Sequence, residues 1–376
     1  MRARLTEPVD GQPVKPPFLL TALLAAIVLA PSAAAAQGLL VGIDDDSLKW
    51  YGHTSSLLSI YSALGVGAVR VTLDWVPGET FLTGARRTEL QRVAGAAQRV
   101  RVVLAVTGPA TSAPVDAASR TSYCGFVANV LRRYLWIHDV AVWTEPNSSR
   151  FWQPRKGSAA AYEALLATCW DTLHAVQPAV NVIATSAPHA KPGRWYEQIG
   201  KAYRASARML PIMDTVGHNG YPESSAESPS AVHRGNSIDQ GDLDRLLVSL
   251  RKAFDGTGQA LPGSKGVTVW YLEDGFQSRP PQTTPLQGRG VYTGSETDSQ
   301  PVSEEVQAAQ LAGAVQLAYC QPAVGGFFNF ELRDEPDLAG WQSGLLRPDW
   351  SPKPAYASYL QAIAAVRNGA ISCAPH

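Results

Sequence analysis

The chain has 376 residues with 32 basic and 32 acidic side chains, so its formal net charge is zero. Neutral charge without a basic cluster argues against a nucleic-acid partner. The length exceeds what a small disulfide-only scaffold needs and allows a large buried core.

The first element in chain order is not part of a fold. Residues 18–30 (FLLTALLAAIVLA) form an apolar run preceded by Arg2, Arg4 and Lys15 and followed by the small residues Ser32 to Ala36. That order is the order of a secretory signal, with cleavage expected after Ala36. The run of 13 is short for a membrane span of about 20 residues, which leaves an uncleaved anchor as the alternative. Residues 1–36 are therefore read as a signal peptide and 37–376 as one exported, extracellular domain, with no membrane contact after cleavage. The composition does not speak to oligomeric state.

From there, short β-branched runs alternate with stretches of helical period. Eight strands are expected at 39–44, 67–74, 100–107, 138–144, 180–186, 214–220, 266–273 and 324–331. Most are apolar through their middles, as parallel strands covered on both faces are. Helices are expected at 121–136, 158–176, 239–254, 303–320 and 354–367, with Asp239 and Ser303 as caps and Pro352 and Pro354 before the last. Successive strands start at least 28 residues apart, room for a strand, a helix and two loops. Eight such units predict the α/β class and a (β/α)8 barrel. The surplus length falls at 221–238, 274–301 and 332–351, stretches rich in Pro, Gly, Ser and Gln that read as long loops over the active face.

Four cysteines, Cys124, Cys169, Cys320 and Cys373, allow three pairings. In an oxidising compartment Cys124–Cys169 with Cys320–Cys373 is the preferred one, and buried free thiols are the alternative. The spacings suit no zinc motif, and no phosphate loop or nucleophile elbow is present. No metal and no cofactor is expected.

In such a barrel the C-terminal strand ends converge on the active site. Strand 4 ends Trp143-Thr144-Glu145-Pro146-Asn147, and strand 7 ends Trp270-Tyr271-Leu272-Glu273-Asp274-Gly275-Phe276. Pro146 lacks an N–H and so ends the ladder at Glu145. Two carboxyls across one barrel mouth are what glycosidic cleavage through a covalent intermediate requires. One attacks, and the other donates a proton and then takes one from water, at a separation of about 5–5.5 Å. Asp274 competes with Glu273, because neighbours on a strand face opposite ways.

With those residues in place, the chain resembles the retaining glycoside hydrolases of clan A, such as cellulases, β-mannanases and β-xylosidases, over residues 37–367. The resemblance implies Glu145 as acid/base and Glu273 as nucleophile. It implies substrate-binding or supporting roles for Arg70 in VRVTLDW, for His218 and Tyr221 in VGHNGYP, and for Trp143. It departs at Thr144, where the family usually has an Asn that bonds the sugar 2-hydroxyl; a hydroxyl has fewer donors than an amide. Strand 8 lacks the family's terminal Trp, and Trp341 on the next loop is the nearest aromatic of that kind. Plainer roles exist for each: a buried, satisfied histidine for His218, loop packing for Tyr221, a rim ion pair for Arg70. Asp44, Asp45 and Asp46 read equally as sugar or Ca2+ ligands and as a capping turn. Asp334, Glu335 and Asp337 are similarly open.

The expected function is retaining hydrolysis of β-linked glycosides or oligosaccharides, with carbohydrate as the partner. The alternatives are a non-catalytic or degenerate glycan-binding barrel, prompted by Thr144, and a transglycosylase or α-L-arabinofuranosidase on the same fold.

Overall fold

The computed structural model describes residues 38–50, 54–263, 266–281, 292–297 and 300–373. The expected signal segment lies outside them. Eight parallel strands close into one barrel in chain order: β1 (Leu40–Asp44), β2 (Ala68–Asp74), β3 (Arg101–Thr107), β4 (Asp139–Val142), β5 (Asn181–Ala184), β6 (Thr215–His218), β7 (Val269–Asp274) and β8 (Val324–Phe330). Closure is direct: β1 pairs with β2, where Asp44 stands opposite Arg70, and with β8, where it stands opposite Phe330. The (β/α)8 fold expected from strand count and spacing is the fold observed.

Nine helices are present among the described residues: α1 (Ser47–Trp50), α2 (Thr54–Leu64), α3 (Gly84–Ala94), α4 (Ala117–Arg133), α5 (Ser158–Val176), α6 (Pro192–Ala205), α7 (Leu243–Phe254), α8 (Glu304–Tyr319) and α9 (Pro354–Arg367). Two starts differ from expectation for a capping reason. Asp116 accepts from Ser119 N at 2.9 Å and opens α4 four residues early. Asp239 precedes a 3-10 turn, Gln240–Asp242, so α7 proper begins at Leu243. Ser303 caps α8, accepting from Val306 N at 3.3 Å.

Strand alternation divides the core in two. Outward-facing residues such as Val69, Val71, Val140 and Val142 pack with the helices in the large outer layer. Inward-facing Ala68, Val103, Ala105, Ala141, Ile183 and Phe328 meet Trp270 and Leu272 in the barrel lumen. Gly217 takes the inward place on β6 because a Cβ there would lie 2.4 Å from Leu272. The lumen is thus plugged by apolar side chains, and on β1, β2 and β3 polar residues one step further along are left facing the open C-terminal end.

The disulfides are Cys124–Cys169, which ties α4 to α5, and Cys320–Cys373, which ties the end of α8 to the segment after α9. They span 45 and 53 residues, and a loop of that size constrains the unfolded chain by about 4 kcal/mol per bridge on a chain-entropy account. No helix among the described residues is long and apolar enough to cross a membrane.

Candidate active site

A cavity of about 1200 Å³ opens over the C-terminal strand ends. Its floor follows from parity. Asp44 on β1, Arg70 and Thr72 on β2 and Thr107 on β3 are the next inward positions above the apolar plug, and all line the cavity. The long loops supply its walls, with Tyr221 to Ser225 on one side and Arg333 to Trp341 on another.

Two strands break their alternation at the rim, and each break aims a glutamate. On β4, Trp143 has φ 65° and Glu145 φ 39°, left-handed values that non-glycine residues seldom adopt. The turn swings the Trp143 ring out of the lumen. It packs 5.6 Å from Trp152 and 5.8 Å from Tyr123, and its Nε1 donates to Phe151 O at 2.7 Å. Thr144 and Glu145 face the cavity instead. On β7 the register with β8 shifts between Tyr271 and Asp274. Strict alternation from Trp270 and Leu272 would turn Asp274 inward. With the shift, Glu273 lines the cavity, and Asp274 is fully buried behind it, accepting from Gly275 N at 2.8 Å.

The two glutamates have different surroundings. Arg70 Nη1 stands 2.9 Å from Glu273 Oε1, and the Tyr221 hydroxyl donates to Glu273 Oε2 at 3.3 Å. Arg70 also binds Asp44, and is itself buried. Burial disfavours its charge, but Asp44 and Glu273 outweigh that and raise its pKa. Glu145 meets Asn219, whose Nδ2 donates to Oε1 at 2.7 Å. Burial, and then the nearby Glu273 charge, push the Glu145 carboxyl up to about 7, against the opposing effects of Asn219 and Arg70. One carboxyl is placed to hold a proton near neutrality, and the other is gripped by a cation and a hydroxyl.

Of the other residues singled out in the sequence, Thr144, Tyr221 and Trp341 line the cavity. The Trp341 ring lies 5.5 Å from Tyr221 and 5.5 Å from Phe330, so these three form an aromatic wall where strand 8 carries no Trp of its own. Trp143 and His218 do not reach the cavity. His218 follows inward Gly217 and so points outward, fully buried. Its Nδ1 is 2.8 Å from Ser186 Oγ and its Nε2 2.7 Å from Ile238 O. With Tyr196 donating to Ser186, the imidazole accepts at Nδ1 and donates at Nε2. Burial pulls its pKa down to about 4, so it is a neutral strut under the strand end.

Parity also marks what the sequence reading missed. Asn219, two residues beyond inward Gly217, holds Glu145. Asp44 is a second carboxylate on Arg70. Glu331, just past β8, lines the cavity with a buried Oε1 that accepts no hydrogen bond among the described residues. Burial, then Asp45, Glu335 and Asp334 nearby, hold its carboxyl well above the usual range. The Asp44–Asp46 tip is not a free ligand set. Asp45 accepts from Ser47 N at 3.0 Å, and Asp46 binds Lys49 at 3.0 Å and accepts from Thr72 N at 2.8 Å. Asp334 is a buried partner of Lys353 at 3.0 Å. Asn147 works in the framework: its Nδ2 donates to Ala187 O at 2.9 Å, and its Oδ1 accepts from Ala187 N at 2.7 Å.

No protein-family model matches the chain, and no curated protein matches it. Solved structures do. A family 39 glycoside hydrolase from the gut symbiont Bacteroides cellulosilyticus WH2 aligns over 89% of this chain at 19% identity and TM-score 0.62. The chain spans 65% of that protein's length. The GH53 catalytic domain of Ignisphaera aggregans aligns over 89% of this chain and 98% of its own, at 13% identity and TM-score 0.58. A fungal β-1,4-galactanase aligns over 87% of this chain and 99% of its own, at 16% identity and TM-score 0.54. At such identities the likeness establishes the fold, which this chain shares with these glycoside hydrolases.

Proposed function

We propose that this chain is an exported glycoside hydrolase that cleaves β-linked glycosides or oligosaccharides with retention of configuration. The observation that carries the reading is the contrast between Glu145 and Glu273. Both face one cavity, Glu145 raised to about 7 and Glu273 held by Arg70 and Tyr221. Pairs of carboxyls set apart in this way divide acid and nucleophile roles. Two disulfides fit an oxidising compartment.

In the first step a Glu273 oxygen attacks the anomeric carbon while Glu145 gives its proton to the glycosidic oxygen. The C–O bond breaks, the aglycone leaves as an alcohol, and a glycosyl ester forms on Glu273. In the second step Glu145, now a carboxylate, takes a proton from water. The hydroxide adds to the anomeric carbon and Glu273 departs as carboxylate. Both protonation states are restored, and no cofactor enters the balance. Tyr221 and Arg70 stabilise the departing carboxylate, and Trp341 with Phe330 offers a flat face to a sugar ring.

The test is a panel of activated aryl β-glycosides with Glu273→Ala as control. The reading expects turnover by the wild type, loss in Glu273→Ala and rescue of that variant by azide as a glycosyl azide of inverted configuration. Sugar binding without release of any aryl alcohol would favour a glycan-binding barrel, the reading that Thr144 in the cavity motivates.

A further inference from the structure

Outside the cavity, the stretch that joins β6 to α7 gathers unusual chemistry. Carboxylates stand at both nitrogens of His233: Glu227 Oε1 lies 2.9 Å from Nε2, and Asp242 Oδ2 lies 2.9 Å from Nδ1. Asp239 faces the same group, with Oδ2 3.5 Å from His233 Nδ1 and Oδ1 3.3 Å from His189 Nε2. Asp239 is only 3% exposed, and neither of its oxygens accepts a hydrogen bond of good geometry from a described residue. The nearby ring nitrogens are shared with closer acceptors. His189 Nε2 is 3.1 Å from Tyr221 O, and His233 Nδ1 is closer to Asp242 than to Asp239. A buried carboxylate whose nearest cationic neighbours are imidazoles at 3.3 and 3.5 Å, neither in good hydrogen-bond geometry, is poorly satisfied. This one opens onto an imidazole and a second carboxylate, and one donor atom from each of Glu227, His233 and Asp239 lies within 4.8 Å of the others.

We propose that Glu227, His233 and Asp239 bind a divalent metal ion, with Zn2+ the best match. One imidazole nitrogen and carboxylate oxygens are borderline donors of the kind zinc takes. Donors about 2.1 Å from a tetrahedral ion stand roughly 3.4 Å apart, so the group closes by about an ångström, which partly exposed Glu227 can supply. With Nε2, the nitrogen beside Glu227, on the ion, the Nδ1–H keeps Asp242 as its acceptor at 2.9 Å, an arrangement that fixes ring and tautomer. The ion would tie down the stretch that begins at Tyr221, the residue whose hydroxyl meets Glu273. The positions 227, 233 and 239 form no compact zinc motif, so the sequence alone did not reveal the group.

The experiment is calorimetric titration of the EDTA-treated full chain with ZnCl2, MnCl2 and CaCl2, paired with thermal melts. The expected result is one Zn2+ per chain with a melting temperature raised by several degrees. In Glu227→Gln and in Asp239→Asn the affinity should fall at least tenfold. Glu227 is only partly buried, so Glu227→Gln should melt like the wild type without metal and separates ligand loss from misfolding. Binding of Mn2+ in place of Zn2+, lost in the same two variants, also supports the site. No saturable binding of any of the three ions at millimolar concentration overturns it, as does wild-type affinity in both variants. Because the readouts are heat and melting temperature, the outcome does not depend on whether the barrel cleaves glycosides.

Discussion

Arg70 Nη1 lies 2.9 Å from Glu273 Oε1 while the same guanidinium holds Asp44. One cation thus serves two carboxylates at the floor of the cavity, and little of the trio is open to water: the side chains of Arg70 and Asp44 are 4% and 7% exposed. Such an arrangement is a poor source of net stability but costly to break from one side, because the remaining charges stay buried.

The first prediction follows from that asymmetry. Arg70→Met leaves Asp44 and Glu273 without their cation, and should destabilise the fold by about 3–5 kcal/mol, the range for a buried pair broken on one side. It should also lower kcat/KM more than KM alone explains, since Glu273 loses the group that favours its departure. Asp44→Asn keeps Arg70 on Glu273 and should cost less on both counts. Urea denaturation and aryl-glycoside kinetics on the two variants check the ordering; equal losses would place Arg70 outside the trio's function.

The second concerns Glu145, whose carboxyl is pushed up to about 7, first by burial and then by Glu273. An acid works only while protonated, so kcat/KM should fall as pH rises through about 7. Glu145→Gln should remove that limb. It should slow substrates with poor leaving groups by about 100- to 10,000-fold, the usual contribution of general acid–base catalysis, and slow dinitrophenyl glycosides far less in the first step. A basic limb that survives in Glu145→Gln would assign it to another group.

Asn219 gives the third. Its amide donates to Glu145 Oε1 at 2.7 Å, which favours the ionised form and works against the rise caused by burial. Asn219→Ala removes that donor, so the Glu145 pKa rises further and the basic limb moves above 7. A limb that moves down, or stays, contradicts the assigned hydrogen bond.

Much of this site was legible in the sequence, and the failures share one cause. Strand count, apolar middles and spacing predict the barrel because a parallel sheet covered on both faces demands them. Glu145 and Glu273 stand out as acids closing apolar strands. Side-chain parity separates what was found from what was missed. Gly217 inward makes His218 outward and Asn219 inward, so the reading that selected His218 chose the wrong neighbour. Parity alone would also have failed on β7, where the register shift exchanges Glu273 for Asp274, and on β4, where the left-handed turn at Trp143 removes its ring from the lumen. Those breaks depend on the partner strands and on Tyr123 and Phe151, which bond the Trp143 backbone and ring. Tertiary contacts of that kind are not written in a local motif. Trp341 stood out in the sequence as the aromatic nearest the end of strand 8, but its contacts with Tyr221 and Phe330 arise only because its loop folds back over the barrel.

The last prediction concerns the whole fold and pH. Several carboxyls are buried with raised pKa values. Burial lifts Asp45 to about 6 and Asp274 to about 7, and burial with the Glu273 charge lifts Glu145 to about 7. A carboxyl whose folded pKa exceeds its unfolded value binds its proton more tightly when folded. Its contribution is present in full below the unfolded value of about 4 and is lost as pH rises through the folded one. Together these groups favour the fold increasingly as pH falls from 8 toward 5. His218 works the other way, because burial draws it from 6.5 down to about 4 and unfolding lets it take a proton throughout that interval. It is one group against three, so the melting temperature should be higher at pH 5 than at pH 8, and should level off near pH 4, where His218 protonates in the fold and the carboxyls protonate in the unfolded chain as well. Asp274 lies outside the cavity lining, and Asp274→Asn should flatten the slope between pH 5 and 8 without shifting the Glu145 limb of the rate profile. Calorimetric melts at unit steps of pH decide it: a melting temperature that climbs steadily from 5 to 8 would mean that these carboxyls are ionised in the fold, and the raised values would be wrong.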